Sequence, residues 1–181
     1  MREARYTYGV AIALAGLPRL SDDDLERISR LNPGWTFERD DEGVLLVSPT
    51  HTNGGSRSLV AGLQLLAWAK RGAGGKVFDS STGFRMPSGA VRSPDASWLG
   101  DARIAALTDD ERSGFWRVCP DVVVEIASES DTWSDVVAKI EMYARNGARY
   151  ALGIDPQRRT TFAVGEAPAG LTFDIAAIVE A

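Results

Sequence analysis

The chain has 181 residues, the length of one domain with a real core, and no run of about 18 apolar residues, so no membrane-spanning helix is expected. Cys119 is its single cysteine and His51 its single histidine, which excludes an internal disulfide and Cys/His zinc sites, fits a reducing cytoplasm, and leaves any metal to oxygen ligands. The net charge of −5 argues against a generic nucleic-acid coat but not against a local basic patch.

The opening stretch RYTYGVAIALAGLPRL holds a short apolar run interrupted by tyrosines, read as a first buried segment rather than a signal peptide. SDDDLERISRLNPG predicts a helix. Ser21 caps it, Asp24 closes a capping box, and Leu25, Ile28 and Leu31 form a stripe that Asn32-Pro33-Gly34 stops. Acids favour the first turn of a helix, so the Asp22-Asp23-Asp24 run is assigned to that role. WTFER and VLLVS read as a hairpin turning at Gly43, and SPTHTNGG as a loop. GSRSLVAGLQLLAWAKRG reads as an amphipathic helix, with Leu59, Leu63, Leu66 and Ala67 at helical spacing.

Three strand candidates follow: KVFDSS, TGFRMP and AVRSPDASWL. Thr108 and Glu111 predict a short helix in TDDERSGF. PDVVVEIAS, rich in β-branched residues, is the clearest strand. DTWSDVVAKIEMYARNG predicts a helix capped by Asp131, with Val136, Ile140 and Tyr143 on its apolar face and Asn146-Gly147 at its end. RYALGID and RTTFAV close the series as strands. The expected class is α/β (α+β), with a central mixed sheet flanked by helices. The expected layout is a single domain, 1–181: an N-terminal helix and hairpin (1–54), a core (55–164) and a C-terminal tail (165–181).

Three residues carry the chemistry. Asp95 interrupts the small and apolar residues of SPDASW, Glu125 interrupts the apolar run of VVVEI, and Lys139 lies on the helix that follows. Two carboxylates on adjacent strands repel and are poorly solvated, so they call for a cation between them. Mg²⁺ or Mn²⁺ suits oxygen ligands and accepts a phosphate oxygen. A nearby lysine would activate water or neutralise charge in the transition state. The competing reading makes the aspartate an edge or turn residue and the lysine a solvated one. No G-x-G-x-x-G, G-x-x-x-x-G-K or G-x-S-x-G pattern is present.

SPDASW, CPDVVVEIASESD and AKIEMYARNGARYALGIDP, in that order, resemble the putative restriction-endonuclease domain family of the Uma-two type, within the PD-(D/E)XK nuclease superfamily. FDSSTGFRMPSGAVRSPDASW and NPGWTFERDDEGVLLVSPT resemble it too, and the likeness runs from about Leu20 to Val164. The resemblance implies a restriction-endonuclease-like core and a Mg²⁺- or Mn²⁺-dependent endonuclease acting on nucleic acid, DNA first. A homodimer is expected because cutting both strands of a duplex is simplest with two sites, and a cytoplasmic location from the lone cysteine. The resemblance assigns Asp95 and Glu125 as metal ligands and Asp95, Glu125 and Lys139 as catalytic residues. The classical pattern has a lysine two residues after the second acid, where this chain has Ala127; the family's usual departure puts it on the following helix, matching Lys139. Many relatives carry a glutamate where this chain has Asn53, which supports an alternative: a weakened module that binds nucleic acid or regulates without cleaving. Asn53, Ser80 and Ser81 are expected beside the site, the serines to orient water or to satisfy backbone groups. Arg57, Arg85 and Arg92 are candidate phosphate contacts.

Overall fold

A computed structural model describes residues 12–14, 18–49, 52–129 and 131–181, with side chains for all of these except 12–14, 49 and 52–54. Two five-stranded sheets make the framework. Sheet A has the order β1-β3-β2-β6-β5 and sheet B the order β10-β9-β8-β7-β4. The α/β class holds, but the expected central sheet is two sheets, because the N-terminal hairpin recruits strands from the middle of the chain.

Sheet A begins with β1 (Ile12–Leu14), antiparallel to β3 (Leu45–Pro49). The rest of the opening apolar stretch, apart from the last three residues of RYTYGVAIALAGLPRL, lies outside the described residues. α1 (Asp22–Leu31) starts as the capping signal requires: Ser21 Oγ accepts the Asp24 N–H at 3.1 Å. Of its stripe only Leu25 is fully buried, against Leu45 and Val91, whereas Leu31 at the frayed end is 70% exposed. β2 (Trp35–Arg39) pairs with β3 along five residues, and Gly43 takes a φ of +90° in the turn.

The segment AVRSPDASWL is not one strand. β6 (Val91–Arg92) pairs with β2 and with β5 (Phe84–Arg85) in sheet A, and β7 (Ala96–Leu99) belongs to sheet B. Pro94 has no N–H to give a ladder, so the chain leaves one sheet there and enters the other. Asp95 therefore lies at the crossing rather than in mid-strand. β4 (Lys76–Asp79) flanks β7 on one side and β8 (Val122–Ile126) flanks it on the other, both antiparallel.

β8 and β9 (Tyr150–Asp155) are parallel, joined by the crossover helix α4 (Trp133–Arg145), and β10 (Thr160–Gly165) closes the sheet as a hairpin. The N-cap of α4 is Thr132, whose Oγ accepts the Asp135 N–H at 3.3 Å; Asp131 instead accepts from Ser128 N, one turn earlier. α4 seats Val136, Ile140 and Tyr143 on the sheet, and Gly153 admits it closely, since a Cβ there would lie 3.1 Å from both Val136 and Ile140.

The other face of sheet B is covered by α2 (Thr52–Trp68), which runs into a π-helical turn at Ala69–Ala73. It starts three residues before the predicted helix. Ala61, Leu65 and Trp68 are its buried residues, and Trp68 meets Trp98 edge-on at 4.8 Å. Leu59 and Leu63 are instead 62% and 53% exposed, so the stripe chosen from spacing is the outward one. Both sets satisfy a 3.6-residue period, and the tryptophan decided between them. α3 (Asp101–Ala106) was not anticipated. The predicted helix at Thr108 is only a turn: the Thr108–Glu111 capping box forms, but Gly114 and the lack of an apolar stripe stop it there. The expected tail ends in α5 (Ile175–Glu180), which buries Ile178 beside α2. No described helix is long and apolar enough to cross a membrane.

The two faces of α2 make a direct prediction. Leu65→Ala costs about 3 kcal/mol in urea unfolding, and Leu63→Ala shifts it by less than about 0.5 kcal/mol. A second prediction concerns the β9–β10 turn, where Asp155 is buried and accepts from Gln157 N, Arg158 N and Arg158 Nη1 at 2.9, 2.9 and 2.7 Å. Burial pushes its carboxyl up, but the Arg158 backbone and side-chain donors outweigh it and hold it below the usual carboxylate range. A depressed folded value adds stability that is present above the unfolded value near 4 and is lost as pH falls through the folded one. Asp155→Ala is therefore less stable by about 2 kcal/mol at pH 7, and the difference shrinks in acid unfolding below about pH 4.

Candidate active site

Alternation along β7 and β8 decides which side chains meet. Val122 and Val124 point to α2, and Val123 and Glu125 to α4. Asp95 falls in phase with Ser97 and Leu99, and because Ala96 pairs with Val124 it comes opposite Glu125. The two acids expected to act together are thus neighbours where β7 begins and β8 ends, in the interior of sheet B.

Asp95 takes over a ladder position. Its Oδ2 accepts the Ile126 N–H at 2.7 Å, tying the acid to the strand that bears Glu125, and its Oδ1 accepts from Ser58 Oγ of α2 at 3.1 Å. Glu125, 6% exposed, is held by two residues one turn apart on α4: Lys139 Nζ donates to Oε2 at 2.9 Å and Tyr143 Oη to Oε1 at 2.6 Å. The lysine two residues along the strand is not needed for contact, since α4 folds straight back over β8.

A third carboxylate joins them from sheet A. Glu38, buried on β2, accepts the Ser93 N–H at 2.7 Å and Arg92 Nη1 at 3.2 Å, and lies 3.8 Å from Lys139 Nζ. Sequence reasoning missed Glu38, Ser58 and Tyr143. The first had a usable signal, because an acid in a five-residue strand between two apolar layers needs a partner as much as Asp95 does.

Three carboxylates here face two cations, and their protonation follows from that shortfall. Burial pushes the Glu125 carboxyl up; Lys139 opposes this, the Asp95 and Glu38 charges reinforce it, and the result is about 7. Asp95 is raised too, burial outweighing the Ile126 N–H, the Lys139 charge and the Ser58 hydroxyl. Glu38 goes the other way. Lys139, Arg92 and the Ser93 N–H overcome its burial and hold it below the usual range. Burial works against the Lys139 ammonium, yet Glu125 and Glu38 raise it above its ordinary value.

The donor set suits a hard cation in part. Asp95 and Glu125 offer oxygens at a point short of positive charge, as Mg²⁺ or Mn²⁺ requires, and water and substrate oxygens would fill the remaining positions. Among the described residues no third His, Cys, Asp or Glu groups with them as a ligand set. A small cleft of about 90 Å³, lined by Glu125, Ile126, Asp131, Asp135, Val136 and Lys139, opens on Glu125 and Lys139, and Asp95 does not line it.

Other expected residues are placed differently. Arg92 is an internal partner of Glu38, its side chain 11% exposed, and Arg85 pairs with Asp22 at 2.6 Å on the α1 side of sheet A. Arg57 stands on α2 beside Ser58, partly buried and with no acid partner among the described residues; its Nε, with that of Arg92 and Ser97 Oγ, lacks a hydrogen bond among the described residues. Ser80 and Ser81 follow β4 in an exposed turn, where the Ser81 hydroxyl donates to Asp79 at 2.6 Å. Asn53 lies in the first turn of α2, but its side chain is outside the described set, and His51 is wholly outside it.

Comparison with known proteins agrees with this architecture. No curated protein matches the sequence. A crystal structure described as a putative nuclease belonging to DUF820, from Anabaena variabilis, has the same fold, with a TM-score of 0.64 and 15% identity over 89% of this chain and 98% of that one. The Uma2 family model, described as "Putative restriction endonuclease", matches residues 22–170. A match over that much of the sequence makes the chain a member of the Uma2 family.

Proposed function

We propose that the chain is a nuclease dependent on Mg²⁺ or Mn²⁺ that hydrolyses phosphodiester bonds in nucleic acid, with DNA as its first substrate. The observation that carries this reading is the juxtaposition of Asp95 with Glu125 at adjoining strand ends short of positive charge, with Lys139 fixed beside them. Asp95 and Glu125 would hold the cation. Such a cation supplies Lewis-acid stabilisation of the phosphoryl oxygens and polarises the attacking water.

The residues do the rest. Asp95 cannot swing, because the Ile126 N–H and Ser58 hydroxyl fix both of its oxygens. Two carboxylates keep Lys139 as an ammonium, which suits it to neutralising charge that builds on the phosphoryl group rather than to taking a proton from water. Arg57 is the arginine best placed to meet a phosphate, being free of an acid partner among the described residues. Two copies would cut both strands of a duplex, so a homodimer is part of the proposal, as is the reducing cytoplasm that suits the lone buried thiol of Cys119.

A second reading has its own support. Both Glu125 oxygens already have partners and no third acid completes a ligand set among the described residues, which favours a module that binds nucleic acid without cutting it.

Thermal melting across a Mn²⁺ titration, with plasmid cleavage measured in parallel, separates these readings. Wild type is expected to gain several degrees and to nick supercoiled DNA, and Asp95→Asn to do neither. Melting curves that coincide for the two proteins at every Mn²⁺ concentration would sink the nuclease reading. A salt-sensitive DNA shift without nicking would establish the second reading.

A further inference from the structure

The N-terminal hairpin reaches into the site through one side chain. Glu38 takes the Ser93 N–H on Oε1, leaving Oε2 to two cations: Arg92 Nη1 at 3.2 Å and Lys139 Nζ at 3.8 Å. Lys139 is therefore shared between acids from different sheets, Glu125 at 2.9 Å and Glu38 at 3.8 Å. Its side chain is 25% exposed, so the ammonium is neither sealed in nor free to leave. Glu38 itself is anchored by a backbone donor from Ser93, two residues before Asp95, which makes its position a fixed reference for the whole site.

We propose that Glu38 is a positioning residue that acts through Lys139: it draws the ammonium away from Glu125, leaving Glu125 able to serve a divalent cation while Lys139 stays within reach of the scissile phosphate. This rests on the nuclease reading above. Glu38 touches neither substrate nor, in this assignment, the metal. With Glu38 neutral, Lys139 pairs with Glu125 alone and competes with the cation for Oε2. The same change removes the counter-charge of Arg92, but that cation stands on the Glu38 side of the site and does not bond Glu125. Glu38 also acts on Glu125 directly through its charge, and the Lys139→Met background separates that effect from the part that runs through Lys139.

The test compares wild type with Glu38→Gln, Lys139→Met and the double variant. Glutamine keeps an acceptor for the Ser93 N–H, and melting temperature in EDTA reports whether each variant folds; Glu38→Asp, which keeps the charge on a shorter arm, stands in if glutamine does not. Free Mn²⁺ is followed by its EPR signal during titration. Glu38→Gln is expected to weaken Mn²⁺ binding about fivefold when Lys139 is present and less than about twofold in the Lys139→Met background. In plasmid cleavage with Mn²⁺, Glu38→Gln lowers kcat about tenfold while KM stays within about twofold, and Glu38→Asp recovers part of the loss. Equal Mn²⁺ affinity in wild type and Glu38→Gln, or the same weakening with and without Lys139, overturns the role of Glu38. If wild type binds Mn²⁺ but leaves DNA uncut, the nuclease reading fails, and the Mn²⁺ titration alone decides on Glu38. A wild type that binds no Mn²⁺ ends both.

Discussion

The architecture around the site depends on one substitution of a side chain for a backbone. At the end of β8 the Ile126 N–H meets no strand residue, because β7 begins only at Ala96, after Pro94 has brought the chain over from sheet A. The Asp95 carboxylate supplies the missing acceptor at 2.7 Å. A buried N–H left unpaired costs on the order of 1–3 kcal/mol, so this position asks for an acceptor whatever the chemistry. An amide or hydroxyl would meet that demand. A carboxylate meets it and also brings negative charge next to Glu125, and the remaining features of the site respond to that charge.

Two acids at adjoining strand ends raise each other's protonation unless cations offset them. Here Lys139 comes from the crossover helix and Arg92 from the other sheet, and Glu38 ties the two together. The polar cluster thereby joins sheet A to the α4 face of sheet B at the point where the chain crosses between them. Stability and chemistry draw on the same contacts, so removing one partner from this cluster leaves a buried charge and not merely a lost bond. Packing on the other face is separate. There α2 holds the sheet through Ala61, Leu65 and Trp68, and Ser58 reaches from that helix to Asp95.

Much of this was legible in the residues, and the failures have physical causes. Local signals read well: the Ser21 cap, the hairpin at Gly43, the β-branched run of β8 and the apolar face of α4 depend on neighbours within a few positions. AVRSPDASWL misled because alternation continues through Pro94 although the ladder cannot, and a strand's period does not reveal which sheet it joins. On α2 two apolar stripes compete, and the one that buries a tryptophan against Trp98 wins on area. Thr108 and Glu111 form their box without a helix, since capping stabilises a helix that packing must still favour. Glu38 was missed because its partners are 54 and 101 positions away in sequence. An acid in a strand signals locally that it needs a partner, but which partner is a tertiary fact that no local pattern carries.

Moving the lysine from strand to helix changes what the site can do. A lysine at position 127 would sit on the strand in fixed relation to Glu125, at a place where the Ala127 N–H is already bonded to Ile154 O. Lys139 instead shares a helix face with Tyr143 one turn on, so the two donors divide the Glu125 carboxylate, one to each oxygen. The long arm of Lys139 also has a second partner in Glu38. An ammonium with two acceptors at 2.9 and 3.8 Å can shift its balance between them without leaving the site. The helical position thus gives one ammonium two acids from different sheets, and the hairpin that brings Glu38 becomes part of the same charge network as Glu125.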